Sequence, residues 1–250
     1  MSAEETRGGV IVLGATSAMA QAIAKALARR GHPVIVAARD NVENEILADD
    51  LRVRYAIESH ALAWDATDFD THEEFVRECI EHFGDNLEGI VLCSGFMEDQ
   101  QAAQNNWDIT RRTIDVNFSG SVSVINRFAN HFESKGSGWI AVVGSVAGDR
   151  GRQSNYLYGA SKAGLAIYLE GLRNRLYHAG VHVMTIKPGF VDTKMTFGQV
   201  PFAASPESVA KAVLKALDKG KNVVYVPFFW RYIMLLIRHI PEWQFKKMKM

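Results

Sequence analysis

The chain has 250 residues, 48% hydrophobic and 22% charged, ordinary globular usage that excludes a disordered chain. Lys and Arg (28) balance Asp and Glu (28), so no global field draws the chain to nucleic acid and no such partner is expected. With only Cys79 and Cys93, a disulfide framework and a four-cysteine zinc site are excluded, and a reducing cytosol fits.

Residues 1–9 include Glu4 and Glu5 and no apolar run, so no signal peptide is expected there. Residues 10–13 read as a short buried strand. Residues 17–30 follow with apolar groups at helical spacing, stopped by Gly31. A second strand is predicted over 34–38, a helix over 42–55 and a third strand over 61–64. A helix containing 75–83 ends near Gly84, and 90–93 form the fourth strand. One long helical region is predicted over about 104–132, with Asn117 inside it. The fifth strand is 139–143, the next helix 156–177 and the sixth strand 181–186. Residues 206–218 form a helix with Ser205 as N-cap and Pro206 at its first position, and 223–226 form a seventh strand. Strands that are apolar throughout imply a parallel sheet covered on both faces, and strict strand–helix alternation implies a doubly wound fold or a barrel. With no repeat and no linker, residues 1–250 read as one domain.

Leu13-Gly14-Ala15-Thr16-Ser17-Ala18-Met19-Ala20 joins the first strand to the first helix. A small-residue turn there lets backbone approach a pyrophosphate, which the free N–H groups of the helix start then stabilise. Of the three glycines in the usual fingerprint only Gly14 is present; Ala18 and Ala20 hold the other places. A turn shaped only for packing gives the same string. The second strand ends Val36-Ala37-Ala38-Arg39-Asp40. A fold that prefers NAD places a carboxylate at this strand end for the ribose 2′-hydroxyl. Ala38 stands there instead and Arg39 can meet a 2′-phosphate, so NADP(H) is favoured over NAD(H); a solvated Arg-Asp loop is the alternative.

Tyr158-Gly159-Ala160-Ser161-Lys162 lies in a helical stretch, so Tyr158 and Lys162 project from one face. A lysine cation near a phenol lowers its pKa and makes it a usable acid/base. Val143-Gly144-Ser145-Val146-Ala147-Gly148 follows the fifth strand, and Lys187-Pro188-Gly189-Phe190-Val191-Asp192-Thr193 follows the sixth. Both fall at the carboxyl edge of a parallel sheet, where sites gather. Asn117 interrupts a helix in Asp115-Val116-Asn117-Phe118.

The ordered set Gly14, Asp65, Asn117, Ser145, Tyr158, Lys162, Pro188-Gly189 and Thr193 resembles the short-chain dehydrogenase/reductase family over essentially the whole chain. The resemblance implies a Rossmann-like doubly wound parallel sheet of about seven strands with helices on both faces. It also implies hydride transfer between a nicotinamide and an alcohol or carbonyl. By resemblance, Tyr158 is the general acid/base and Ser145 hydrogen-bonds the substrate oxygen. Lys162 lowers the pKa of Tyr158 and binds the nicotinamide ribose, and Asn117 supports a proton relay through water. The cofactor contacts implied are Gly14, Thr16, Ser17, Ala18 and Met19 at the turn, Arg39, and Asp65 on the adenine. Ser94 and Gly95 lie on the adenosine ribose, and Pro188, Gly189, Val191 and Thr193 on the nicotinamide side. A homo-oligomer is expected on the same ground. Two departures stand out: the alanines at 18 and 20, and Leu92-Cys93-Ser94-Gly95, which lacks the family's side-chain amides after the fourth strand. Ser154-Asn155-Tyr156-Leu157-Tyr158 and the aromatic-basic tail resemble the reductases that act on decaprenylphosphoryl keto-sugars. That subgroup implies a keto-sugar or lipid-linked carbonyl substrate.

Other patterns are read as structural. His178 and His182 are separated by Gly180 and a strand start, and His72-Glu73-Glu74 lacks the second histidine of a zinc-protease helix. Gly144 to Gly148 does not form G-x-S-x-G. The second functional class kept open is a non-catalytic cofactor-binding or membrane-associated protein on the same fold.

The segment 228–250 is rich in aromatic and basic residues. Tyr232, Ile233, Leu236 and Ile237 fall on one stripe of a helix predicted over about 229–238. That stripe either packs over the substrate cleft or a neighbouring subunit, or docks on a membrane surface. In the second case Arg231, Arg238, Lys246, Lys247 and Lys249 face anionic headgroups. The expected location is cytoplasmic, with peripheral contact at the inner face of a membrane as its extension.

Overall fold

The computed structural model describes residues 7–193 and 203–249. Seven parallel strands form one sheet in the order β3-β2-β1-β4-β5-β6-β7: β1 (Gly9–Leu13), β2 (Val34–Ala38), β3 (Ser59–Ala63), β4 (Leu87–Leu92), β5 (Gly138–Val143), β6 (Val181–Pro188) and β7 (Val223–Val226). Along β1 the side chains alternate between two apolar layers. Val10 and Val12 pack with α1 (Ala18–Ala28), α2 (Asn41–Tyr55) and α8 (Pro206–Asp218). Ile11 and Leu13 pack with α3 (His72–Phe83), α6 (Gly120–Lys135) and α7 (Tyr156–Leu176). Covering both faces explains why β1 and β2 are apolar at every position and fully buried. The doubly wound reading therefore holds and the barrel does not.

The chain runs outward from β1 to β3, then crosses back to β4. β1 and β4 are neighbours, and the crevice outside their carboxyl ends is the point where strand order reverses, the usual ligand position in such sheets.

The predicted helix over 206–218 and strand over 223–226 match α8 and β7. Two regions differ. The single helix expected over 104–132 is instead α4 (Gln100–Asn105), α5 (Trp107–Ile114), a π turn over Asp115–Ser119 and then α6. The break before α5 comes from Asn106, whose backbone is extended (φ −133°, ψ 111°) while its Oδ1 accepts from Asp108 N–H at 2.9 Å. A side chain that replaces an intrahelical partner starts a new helix without any Gly or Pro. The sixth strand continues two residues past its predicted end because Lys187 and Pro188 pair with Tyr225 and Val226 of β7. The tail forms α9 (Trp230–His239) and α10 (Glu242–Phe245). Among the described residues no helix is long and apolar enough to cross a membrane.

Candidate active site

A cleft of about 1240 Å³ opens at the switch point and is lined by Gly14, Thr16, Ser17, Ala18, Met19, Arg39, Asp65, Ser94, Gly95 and Thr193 among others. Gly14 has φ +75°, and a Cβ there would stand 2.8 Å from Ser94 N. Only glycine allows β1 to turn this close to the β4 exit. Ser17 caps α1, its Oγ accepting from Ala20 N–H at 3.2 Å. The helix start, with its unspent N–H groups and positive dipole end, faces the cleft. Ala20 is fully buried in the apolar layer beneath, so its methyl group lies away from the cleft, whereas Ala18 lines it.

At the end of β2 the two charges of Arg39-Asp40 separate in role. Asp40 caps α2, its Oδ1 accepting from Glu43 N–H at 3.0 Å, while Arg39 stays exposed on the cleft wall. Asp65 turns its Oδ1 onto Thr67 N–H and Oγ1–H, each at 2.8 Å. Its carbonyl meets Nε2 of His72 at 2.8 Å, and the other ring nitrogen, Nδ1, lies 3.0 Å from Ser123 Oγ. His72, fully buried, thus ties the Asp65 loop to α6. Asn44, also fully buried, donates to the carbonyls of Ala38 and Leu62 at 2.9 Å each, holding the ends of β2 and β3 together.

Ser145, Tyr158 and Lys162 gather at the carboxyl end of β5. Ser145 begins the short turn Val146–Asp149, accepting from Ala147 N–H at 3.0 Å, and hydrogen-bonds the Tyr158 hydroxyl. Lys162, one turn after Tyr158 on α7, is buried with Nζ 6.0 Å from the Tyr158 ring centre. Its Nζ donates to the carbonyls of Val143 at 3.1 Å and Ser94 at 3.4 Å. Burial pulls the Lys162 pKa down to about 8. Burial also pushes the Tyr158 phenol up, with the Ser145 hydrogen bond as the opposing influence. The downward shift of the phenol expected from the Tyr158–Lys162 spacing is not the net direction here, because burial of Tyr158 dominates.

Asn117 sits fully buried in the π turn. Its Oδ1 accepts from Phe96 N–H at 2.9 Å and its Nδ2 donates to Phe96 C=O at 2.7 Å. Together with the Lys162 bond to Ser94, this holds the segment after β4. Leu92-Cys93-Ser94-Gly95, which carries no side-chain amide of its own, is braced from α7 and the π turn.

Pro188 ends β6 and Gly189 N–H donates to Val226 C=O at 2.9 Å; Val191 bridges Ala204. Gly189 is fitted to the tail: a Cβ there would come within 1.9 Å of Trp230 Nε1. Beside it is a polar group that the sequence reading missed. Lys187 Nζ donates to Asp149 Oδ1 at 2.6 Å, with side-chain exposures of 11% and 1%, and Tyr225 O–H donates to Asp149 Oδ2 at 2.8 Å. The next residue, Arg150, donates from Nη1 to the carbonyls of Ile237, Arg238 and Ile240 at 2.6–3.0 Å. Its Nη2 donates to Glu242 at 3.0 Å, and its guanidinium lies 3.9 Å from the Phe245 ring centre. Arg150 thus closes the C-terminal end of α9 and fastens the tail to the turn that carries Ser145. The nearest sequence signal was position: Asp149 four residues after Ser145, and Lys187 directly before Pro188.

The tail stripe is turned outward. Met234 is the buried anchor of α9, whereas Tyr232 is 60% exposed and Leu236 72%. No residue of the stripe lines the cleft of about 1240 Å³.

Fold and site together define a dinucleotide-dependent oxidoreductase of the doubly wound α/β class. The model of the short chain dehydrogenase family matches residues 9–201. An uncharacterized oxidoreductase of Mycobacterium tuberculosis is 32% identical over 241 residues, 96% of each chain. Another, from Streptomyces coelicolor, is 30% identical over 241 residues, 96% of this chain and 95% of its own. The fold is similar to a short-chain dehydrogenase from Sphingobium yanoikuyae solved in complex with NADPH (TM-score 0.81, 24% identity, 94% and 96% covered). It is also similar to a bulky-bulky ketone specific alcohol dehydrogenase from Comamonas testosteroni (TM-score 0.80, 23% identity, 95% and 96% covered). The chain belongs to the short-chain dehydrogenase/reductase family and is an NAD(P)-dependent oxidoreductase.

Proposed function

We propose that the protein transfers a hydride between NADP(H) and a carbonyl or alcohol, with Tyr158 moving the proton at the reacting oxygen. The observation that carries this reading is the convergence of Ser145, Tyr158 and Lys162 at the sheet edge beside the cleft. The glycine-only turn at Gly14 and the start of α1 suit a pyrophosphate, and Thr16, Ser17, Ala18 and Met19 would hold it. Asp65, Ser94 and Gly95 would hold the adenosine, and Pro188, Gly189, Val191 and Thr193 the nicotinamide side. When bound, the nicotinamide supplies or accepts the hydride.

In the reducing direction the Tyr158 hydroxyl donates its proton to the oxygen as negative charge develops there, and Ser145 donates a hydrogen bond to the same atom. Lys162 would bind the nicotinamide ribose and stabilise the phenolate left behind. Asn117 is a positioning residue: with its amide committed to Phe96, it shapes the β4 exit and leaves proton transfer to other groups. Tyr158→Phe should lower turnover by on the order of 10²–10⁴ while NADPH affinity by calorimetry stays at the parent value. Undiminished turnover in that variant would end the assignment. NADPH binding without turnover of any carbonyl by the parent protein would favour the non-catalytic alternative.

Arg39 supports the NADP(H) preference, since Asp40 is occupied as a helix cap. One charge-assisted contact of about 1.5–3 kcal/mol should favour NADPH over NADH by on the order of ten- to a hundredfold. Arg39→Asp should erase that ratio; equal parent affinities for both cofactors would show that Arg39 is merely solvated.

The outward face of α9 supports a lipid-linked substrate, such as a polyprenyl-linked keto-sugar, reached at a membrane surface. Tyr232, Leu235 and Leu236, together with Trp243 of α10, are all more than half exposed, and Arg231, Arg238, Lys246, Lys247 and Lys249 accompany them. Anionic liposomes at low salt should sediment the full chain but not Leu235→Glu/Leu236→Glu. No sedimentation of the parent, with dimers that the double variant loses, would assign the face to a second copy, the homo-oligomer contact expected from the family.

A further inference from the structure

Three donor side chains converge at the sheet edge farthest from β7. Glu58 immediately precedes β3, His60 is the second residue of that outermost strand, and His82 lies in the last turn of α3. Both imidazole Nε2 atoms are 3.0 Å from the same oxygen, Glu58 Oε1. The three donor atoms all fall within 4.8 Å of one another, and the two rings meet edge to face with centres 4.2 Å apart.

A hydrogen-bonded cluster would require both rings to place an Nε2–H on one acceptor atom. A cation asks less of the same geometry. Tetrahedral zinc, with Zn–N of about 2.0–2.1 Å and Zn–O of about 2.0–2.2 Å, sets neighbouring ligand atoms roughly 3.3–3.5 Å apart. The two O–N separations need to widen by only a few tenths of an ångström, and all three side chains are solvent-accessible enough to adjust. We propose that Glu58, His60 and His82 bind one divalent transition-metal ion of the Zn²⁺ type, with water completing its coordination. Two imidazoles and one carboxylate select zinc-like ions over Mg²⁺ and Ca²⁺, which prefer all-oxygen sites.

The place of the site defines its role. His60 is near the amino end of β3, while the cofactor cleft lies outside the carboxyl ends of β1 and β4. The ion therefore takes no part in hydride transfer. It joins the sheet's edge strand to the last turn of α3, elements that meet through side chains there, and so stabilises the folded state by binding it and not the unfolded chain.

The test uses the untagged full-length protein and Zn²⁺ alone, read by calorimetry and by thermal unfolding with and without EDTA. Saturation near one ion per chain and a zinc-dependent rise in Tm are expected. His60→Ala and His82→Ala should each weaken binding by on the order of tenfold or more, since even an outer-shell partner is worth that much. Both should abolish the zinc-dependent rise while keeping the parent's Tm in EDTA. His82→Cys should retain binding, because a thiolate can replace the imidazole. No saturable binding overturns the proposal, and so does binding that both alanine variants leave unchanged, which would place the ion elsewhere on the chain.

Discussion

The two ends of the candidate site, at β1 and at β6, each turn on a glycine, and the two glycines are required for different reasons. At the dinucleotide end, Gly14 is held at φ +75° with Ser94 N where a Cβ would reach 2.8 Å. Both constraints are backbone, so no neighbouring side chain can yield to relieve them. At the β6 end, Gly189 has no such dihedral constraint; a Cβ there would meet the Trp230 indole at 1.9 Å. One glycine is demanded by the fold of the sheet, the other by a side chain delivered from the tail. The β1 end is therefore built by the Rossmann framework itself, and the β6 end is finished by residues 227–249.

Replacing each glycine by alanine tests this contrast most severely. Gly14→Ala combines about 1–2 kcal/mol of left-handed strain with a backbone collision, and should cost about 3 kcal/mol in all by urea unfolding, along with most NADPH affinity. Gly189→Ala should cost about 1–3 kcal/mol as overpacking. In a Trp230→Leu background that cost should fall below about 1 kcal/mol, the coupling expected of two residues in contact. Among the described residues Trp230 Nε1 is buried without a partner, so shortening that side chain exposes no unpaired acceptor among them. If Trp230→Leu leaves the cost of Gly189→Ala unchanged, the tail does not set the requirement at 189.

A smaller effect separates the two ends by function. Arg150→Met removes the guanidinium that closes α9 and meets Glu242 and Phe245. The loss should be about 1–3 kcal/mol, as for hydrogen bonds from a charged donor. Limited proteolysis within 228–249 should accelerate and KM for the carbonyl substrate should rise several-fold. NADPH affinity should hold, because Arg150 touches no residue of the β1–α1 turn. Equal losses in both would mean that the tail supports the whole cleft.

The sequence reached furthest where local chemistry decides. Ser205 and the apolar strands are read correctly because a capping hydroxyl and two-sided burial each leave a mark within a few residues. Tyr158 and Lys162 share a helix, so their common face followed from spacing alone. What the pair does electrostatically did not, because burial by other elements sets the direction at Tyr158, and the carbonyls that Lys162 meets also come from other elements. The break at Asn106 was hidden because a side-chain bond replaces a helical one and leaves apolar periodicity intact, and the π turn at Asn117 because its side-chain partner, Phe96, is 21 residues away. Asp149, Lys187 and Tyr225 are separated by 38 and 76 residues, and Arg150 meets backbone carbonyls about 90 residues away. Contacts to backbone leave no residue-type signature at the accepting position. The sequence by itself thus determined the alternation of parallel strands and helices along the chain, since this rests on periodicity and residue chemistry. Only the tertiary structure decided which charges are paired, how the phenol is poised and what the tail covers, because burial and long-range hydrogen bonds are properties of neighbours that the chain brings together only on folding.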